Sequence, residues 1–255
     1  MIKLTVAIIT YNEEKNIGRC ISSVKEIADE VLVVDSFSTD NTEAICKEAG
    51  ARFVQNPFKG HIEQKNYALT LATHQHVLSL DADEALSPLL LEEIKKTKKN
   101  FEFSGYRFNR LTNYNGHWVK HCGWYPDTKL RLVDKSKAMW RGTNPHDILE
   151  MNGNGNEKVG FLQGDLLHYS YESITAHVTQ TDKFTSIAAS AAFKAGKKSS
   201  MFKIITRPAL KFMRDYFYKL GFLDGRYGFI ICSINALSAM LKYSKLRDLE
   251  LGKKI

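Results

Sequence analysis

Val77-Leu78-Ser79-Leu80-Asp81-Ala82-Asp83-Glu84 is an apolar run that breaks off in two aspartates one residue apart. Side chains of an extended chain alternate in direction, so Asp81 and Asp83 are expected on one side and Ala82 on the other. Two carboxylates meeting in one small volume suit a hard cation such as Mg²⁺, which takes oxygen ligands and shares them with substrate phosphates. A short motif of this kind gains its meaning from structural context. Here the context is a series of similar strand ends.

Upstream, Leu4 to Ile9 predicts a strand, and Ile17, Cys20, Ile21 and Val24 recur at i, i+3, i+4 and i+7, the pattern of one buried helix face. Val31 to Val34 predicts a second strand closing on Asp35, and Ser38-Thr39-Asp40 offers caps for a helix that Gly50 ends. Ala51 to Val54 reads as a third strand, His61 to Ala72 as a helix, and the aspartate-bearing strand is then the fourth. This alternation predicts an α/β fold with a largely parallel, doubly covered sheet. Ligands of such sheets bind beyond the carboxyl ends of the strands, where Thr10, Asp35 and Asp81 stand. Past residue 100 the pattern turns to strands, at Gly105 to Leu111, Lys129 to Val133 and Phe161 to Tyr171, with an aromatic loop from Trp118 to Tyr125 between the first two. From Glu172 onward the reading is helical.

With 255 residues, 44% of them hydrophobic, the chain can bury a proper core. Cys20, Cys46, Cys122 and Cys232 form no Cys-x-x-Cys pair, which fits a reduced, cytosolic chain. Leu4 to Ile9 follows one lysine and is cut off by Asn12-Glu13-Glu14 without a small-residue cleavage site, so it reads as a buried strand and not a signal peptide. The net charge of +8 is unevenly spread: residues 194–255 carry 14 Lys and Arg against 4 Asp and Glu, leaving 22 against 24 for the rest. A nucleic-acid-binding body is disfavoured. The charge step predicts a body over 1–193 and a basic helical extension over 194–255.

Thr10-Tyr11-Asn12-Glu13-Glu14 after the first strand, Asp35-Ser36-Phe37-Ser38-Thr39-Asp40 after the second and Leu80-Asp81-Ala82-Asp83-Glu84 after the fourth together resemble the family 2 inverting glycosyltransferases of GT-A fold. Gln64-Lys65-Asn66, Gly123-Trp124-Tyr125-Pro126-Asp127, Leu130-Arg131-Leu132 and Leu167-His168-Tyr169-Ser170-Tyr171 are similar to the lipopolysaccharide-core β-1,4-glucosyltransferase subgroup. The resemblance implies a Rossmann-like mixed sheet flanked by helices, a UDP-sugar donor with glucose as its sugar, and a lipopolysaccharide-core or related envelope glycolipid acceptor. It places Thr10, Tyr11, Asn12, Glu13, Asp35, Lys65 and Asp81 at the donor nucleotide. Asp83 becomes the main ligand of a Mg²⁺ or Mn²⁺ ion, assisted by Asp81 and completed by His168.

Inversion needs one general base on the acceptor side. Asp147, in Asn144-Pro145-His146-Asp147, is the candidate, although the subgroup usually carries the longer glutamate there; Asp127 competes with it. Trp124, Tyr125, Asp127, Arg131 and His146 are expected to meet the acceptor. Structural alternatives stand beside these roles: a helix cap for Asp35, an interface aromatic for Tyr11, a solvated helix lysine for Lys65, a strand histidine for His168 and core packing for Trp118. Phe37 occupies a position where the family commonly has glycine, so its loop either runs differently or is strained.

Residues 201–220 interleave aromatic and aliphatic residues with Lys203, Arg207, Lys211, Arg214 and Lys219, the pattern of a basic amphipathic helix at an anionic membrane surface. Phe229 to Leu241 has 13 residues, short of the roughly 20 needed to span a bilayer. The expectation is a chain lying on the inner face of the cytoplasmic membrane, the alternative a helical extension packed on the catalytic domain. Other functions open to such a chain are a sugar-nucleotide pyrophosphorylase, which needs a Gly-rich loop where Thr10-Tyr11-Asn12-Glu13 stands, and a non-catalytic, membrane-recruited nucleotide-sugar-binding protein. A dehydrogenase is disfavoured by the lack of a G-x-G-x-x-G motif.

Overall fold

Leu4, Val6 and Ile8 of β1 (Leu4–Thr10) are fully buried on one face of the sheet and Ala7 is buried on the other. A strand covered on both sides belongs in the interior of a parallel sheet. In the computed structural model, which describes residues 1–143, 146–153 and 157–255, that interior is built from β1, β2 (Glu30–Asp35), β3 (Arg52–Gln55) and β4 (His76–Asp81). The helices between them are α1 (Ile17–Val24), α2 (Thr42–Glu48) and α3 (His61–Leu71). The predicted stripe of α1, Ile17, Cys20, Ile21 and Val24, is buried throughout.

After β4 come β5 (Glu84–Leu86) and α4 (Pro88–Lys99), whose Ser87 cap accepts from Leu90 N at 3.3 Å. The chain then runs through β6 (Gly105–Tyr114), β7 (His117–Val119), β8 (Asp127–Asp134), β9 (Ala138–Thr143), β10 (His146–Met151) and β11 (Val159–Tyr171). The helical remainder is α5 (Ile174–Lys194), α6 (Met201–Met213) and α7 (Gly225–Glu250). Strand order in the large sheet is β3-β2-β1-β4-β8-β6-β11-β5, with β7 on β6 and β9-β10 as a separate hairpin. The first four strands are parallel, while β8 joins β4, and β5 joins β11, antiparallel. This is the α/β, GT-A-type, Rossmann-like mixed sheet flanked by helices that the sequence motifs imply.

Two compact units divide the chain, Met1–Leu111 with Asp127–Tyr169, and Thr112–Pro126 with Ser170–Ile255. The first has a core on each face of the sheet. One is built on Leu4, Val6, Ile8, Leu78 and Leu80 with α1 and α4; the other joins Ala7, Leu32, Val34 and Val77 to α3, Trp140 and Leu149. In the second, Tyr114, Val119 and Cys122 pack with Ile231 and Cys232, and Ala189 and Ala192 of α5 pack with Leu246 of α7. The start of α7 approaches the preceding turn so closely that a Cβ on Gly228 would lie 1.8 Å from the Gly221 oxygen. No residue of α6 is buried, and no helix among the described residues is long and apolar enough to cross a membrane. The charge step at 194 marks the end of α5, whereas the compact boundary lies at Tyr169/Ser170: surface charge and packing divide this chain differently.

Candidate active site

Backbone register brings the expected strand ends together, since Thr10 of β1 pairs with Asp35 of β2 and Ile9 pairs with Asp81 of β4. The loops leaving β1 and β2 are tied to each other. Asn12 N donates to Ser38 Oγ at 2.8 Å, Asn12 Oδ1 accepts from Thr39 N at 2.8 Å, and Glu13 N donates to Thr42 Oγ1 at 2.9 Å. Asn12 sits at φ 54°, a conformation asparagine tolerates better than most residues. Asp35 is fully buried, and its Oδ2 accepts from Ser38 N at 2.8 Å while Oδ1 accepts from Ser38 Oγ, so it fixes the turn in which it sits. Tyr11 remains 58% exposed. Phe37 keeps the positive φ usual for glycine, 63°, with its ring exposed to solvent. The loop therefore holds its path at a local cost of about 1–2 kcal/mol.

The aspartate pair corrects a detail of the sequence reading. Asp81 closes β4, but Ala82 and Asp83 form a turn into β5, so the turn and not a strand pleat sets the direction of Asp83. The two aspartates have different surroundings. Lys65 Nζ of α3 lies 2.9 Å from Asp81 Oδ1 and 2.7 Å from Asp147 Oδ2, and the Trp140 ring centroid is 4.3 Å from the ammonium. Arg131 Nη2 lies 3.2 Å from Asp81 Oδ2 and 2.9 Å from Glu84 Oε1. Burial on its own would raise the pKa of Asp81, yet the Lys65 and Arg131 charges outweigh it and hold the carboxyl well below the usual carboxylate range. Burial likewise works against the Arg131 charge, and Glu84, Asp81 and Asp147 reverse the effect and raise its pKa.

Asp83 meets a histidine instead. Antiparallel pairing of β11 with β5 sets His168 opposite Glu84, and its Nε2 lies 3.1 Å from Asp83 Oδ2. Two buried polar atoms at these strand ends, Thr10 Oγ1 and His168 Nδ1, have no hydrogen-bond partner among the described residues. Groups left in that state cost roughly 1–3 kcal/mol each until a ligand or water engages them. No cluster of three or more His, Cys, Asp or Glu side chains is arranged around a metal among the described residues. One carboxylate and one imidazole nitrogen are nevertheless a donor set that fits a divalent cation taking its other ligands from a diphosphate.

Arg131, expected at the acceptor, has a side chain that is 4% exposed and is paired with Asp81 and Glu84. Lys65 is likewise no solvated lysine. Asp127 is held by Arg110 Nη2 at 2.8 Å and Lys129 Nζ at 2.9 Å; burial would raise its pKa, but these cations draw it below the ordinary range. Trp124 and Tyr125 fall in the second unit, where the half-buried Trp124 ring packs 5.7 Å from those of Tyr171 and His177. Burial pushes the His177 pKa down to about 4, and its Nδ1 is 3.1 Å from the Tyr114 hydroxyl. Asn144, Pro145 and the side chain of His146 lie outside the described residues.

Sequence reasoning missed Glu84, which accepts from Asp81 N at 2.9 Å and anchors Arg131, although it stood inside the quoted motif. It also missed Asn66, whose amide donates to Trp140 O at 2.9 Å and accepts from Trp140 N at 3.0 Å. Asn66 thereby grips β9, and β9 pairs with the strand that carries Asp147.

Residues 5–147 match the family model described as glycosyl transferase family 2. An uncharacterized glycosyltransferase of Rickettsia typhi is 34% identical over 259 residues, covering 98% of this chain and 89% of the relative. The lipopolysaccharide core biosynthesis glycosyltransferase LpsC of Rhizobium meliloti is 30% identical over 256 residues, covering 95% and 91%. A crystal structure of glucosyl-3-phosphoglycerate synthase from Mycobacterium tuberculosis, in complex with Mn²⁺, UDP and glucosyl-3-phosphoglycerate, shares 25% identity over 44% of each chain at a TM-score of 0.37, a likeness too partial to carry weight. By the family model and by near full-length relatives at this identity, the chain belongs to glycosyl transferase family 2.

Proposed function

We propose that this chain is a metal-dependent, inverting hexosyltransferase that moves a sugar, with glucose the first to be tested, from a UDP-sugar to a lipopolysaccharide-core or related envelope glycolipid. The relative named for lipopolysaccharide core biosynthesis supports the acceptor class. Family membership displaces the pyrophosphorylase alternative. The observation that carries the chemical reading is the unequal treatment of the two aspartates: Asp81 is paired with both Lys65 and Arg131, while among the described residues the ion-pair partner of Asp83 is His168. Both Asp81 oxygens are already engaged by cationic side chains, whereas the Asp83 carboxylate, with its imidazole neighbour, is the better placed to take a metal ion. Asp83 and His168 are thus the ligands in this proposal, and Asp81 acts through Lys65.

Thr10, Tyr11, Asn12, Glu13 and Asp35 line the nucleotide, with the Tyr11 ring available to stack on a base. A divalent cation at Asp83 and His168 supplies charge stabilisation to the departing diphosphate. Asp147 receives the proton of the attacking hydroxyl. Lys65 holds its Oδ2, which orients the carboxylate and presents Oδ1 to the acceptor. Asp127, depressed by Arg110 and Lys129, is the poorer base and is assigned with Trp124, Tyr125 and His146 to acceptor contact. Catalysis is assigned to residues 1–193, and the basic stretch 194–255 to contact with an anionic membrane surface, peripheral on the inner face of the cytoplasmic membrane.

Purified protein incubated with a panel of nucleotide sugars and lipid extract, with products resolved by mass spectrometry, tests donor and acceptor together. Asp147→Asn should lower transfer by about 10² to 10⁴ while retaining UDP affinity. Near-full turnover in Asp147→Asn, with loss in Asp127→Asn, would assign the base to the other carboxylate.

A further inference from the structure

Within the second unit, α6, the turn after it and α7 line an open recess of about 410 Å³, with Arg207, Leu210, Lys211, Arg214 and Lys242 in its wall. That volume falls in the range of small-ligand sites. Its charge is one-sided. Arg207, Lys211 and Arg214 recur at i, i+4 and i+7, which brings them to one face of the helix, and Lys242 is contributed by α7. Against these four cations stands one buried carboxylate, Asp215, which is 3.1 Å from Lys211 Nζ and 2.7 Å from Arg214 Nη2. Arg207 and Lys242 make no ion pair among the described residues, so the cavity retains a surplus of about three positive charges. Ser238 and Tyr243 add hydroxyl donors to its wall. The chain passes from α6 into a π-helical turn, Arg214–Tyr218, an irregularity that recurs at functional sites.

The surroundings indicate the source of the anion. Leu210, in the wall of the recess itself, is 62% exposed, and the turn that carries Arg214 also carries Tyr218, 83% exposed, so apolar and aromatic surface stands open to solvent beside the cations. A soluble anion needs no such border. The headgroup of a lipid does, because its acyl region meets apolar side chains while its phosphate meets the cations.

We infer that this cavity is a headgroup site for the phosphomonoester of an anionic lipid, with Arg207 and Lys242 supplying the unpaired charges and Asp215 orienting Lys211 and Arg214. The site rests on the reading of the basic stretch as a membrane-contact surface and makes it specific: phosphate is preferred over other anions of equal charge.

The test is co-sedimentation of the full chain with phosphatidylcholine vesicles carrying phosphatidic acid or, at matched surface charge, a fatty-acid carboxylate. Phosphatidic acid should be bound more tightly. Arg207→Gln with Lys242→Gln should weaken that binding about 25-fold, two charges each worth about a factor of five at an anionic surface. Lys253→Gln with Lys254→Gln removes the same charge outside the cavity and should leave the preference for phosphate intact. Equal weakening by both pairs, or no preference for phosphatidic acid, would reduce the cavity to non-specific attraction and overturn the inference. Full competition by soluble glycerol phosphate at the headgroup concentration would overturn the lipid assignment. Failure of the chain to pellet with any anionic vesicle would remove the membrane reading together with this site. UDP affinity, measured on the same variants, should be unchanged, which separates these outcomes from failure of the catalytic proposal.

Discussion

Replacing Lys65 with methionine keeps most of the side-chain volume and removes the charge on which Asp81 and Asp147 both depend. At an effective dielectric of about 20, carboxylates 2.9 and 2.7 Å from Nζ attract it by on the order of 10 kcal/mol in total. Desolvation of the three ions cancels much of this. What a stability measurement reads is the cost of stranding two carboxylates around a missing cation in a site where the lysine side chain is 4% exposed. For buried pairs that cost is about 3–5 kcal/mol, and Arg131, still on Asp81, sets the expectation at the lower end, about 3 kcal/mol. Urea unfolding near neutral pH should show it, along with a fall in Tm of about 6–12 °C. The loss should also depend on pH. In the parent chain the Asp81 pKa is lowered, so its stabilisation is complete above the ordinary carboxylate range near pH 4 and disappears below it. In the variant a stranded carboxylate takes up a proton more readily than in the unfolded chain, so its penalty shrinks as pH falls toward about 4. A loss under about 1 kcal/mol, the size of an exposed pair, or a loss equal at both pH values, would refute the buried bridge.

Asp83→Ala and His168→Ala should each abolish the dependence of UDP affinity on Mg²⁺ or Mn²⁺ in calorimetry. Equal affinity of the parent chain with and without chelator would remove the metal from the site. Phe37→Gly relieves about 1–2 kcal/mol of left-handed strain and costs about 0.5–1 kcal/mol in unfolded-chain entropy, so it should change stability by no more than about 1.5 kcal/mol. A destabilisation beyond that in urea unfolding would mean that the exposed ring has a packing role.

The parallel half of the fold was legible because its signals are local: a buried run, a helical stripe and a turn residue each declare themselves within about ten residues. The site was legible in its strand ends for the same reason, since Thr10, Asp35 and Asp81 lie where parallel strands stop. Partnership was not. Nothing near Lys65 in sequence marks it as the ion that joins Asp81 to Asp147, 82 residues away, because the β9-β10 hairpin has to return over α3 before the carboxylate arrives. Arg131 sits in an alternating strand, which predicts an inward or outward direction but not the acids it will meet. The helix at His61 shows the same limit: Gln64 and Lys65 occupy its buried side, so hydropathy misses a face that is buried by polar contacts.

The basic tail was legible as charge, but its part in a packed core was not. A cut after Ala195 would remove α6 and α7, and with them Ile231 and Cys232, which cover Tyr114, Val119 and Cys122 in the core of the second unit. Each large apolar side chain uncovered costs about 1.5–3 kcal/mol, so losing this cluster and the Leu246 contact with Ala189 and Ala192 consumes on the order of 5–10 kcal/mol. That is comparable with the whole stability of a domain, about 5–15 kcal/mol. A truncated chain would expose apolar surface of its own and pellet for that reason, in the presence or absence of vesicles. Single charge replacements on α6 and α7 leave the apolar contacts in place, and they separate what the tail does at a surface from what it does in holding Tyr114 and Cys122 out of water.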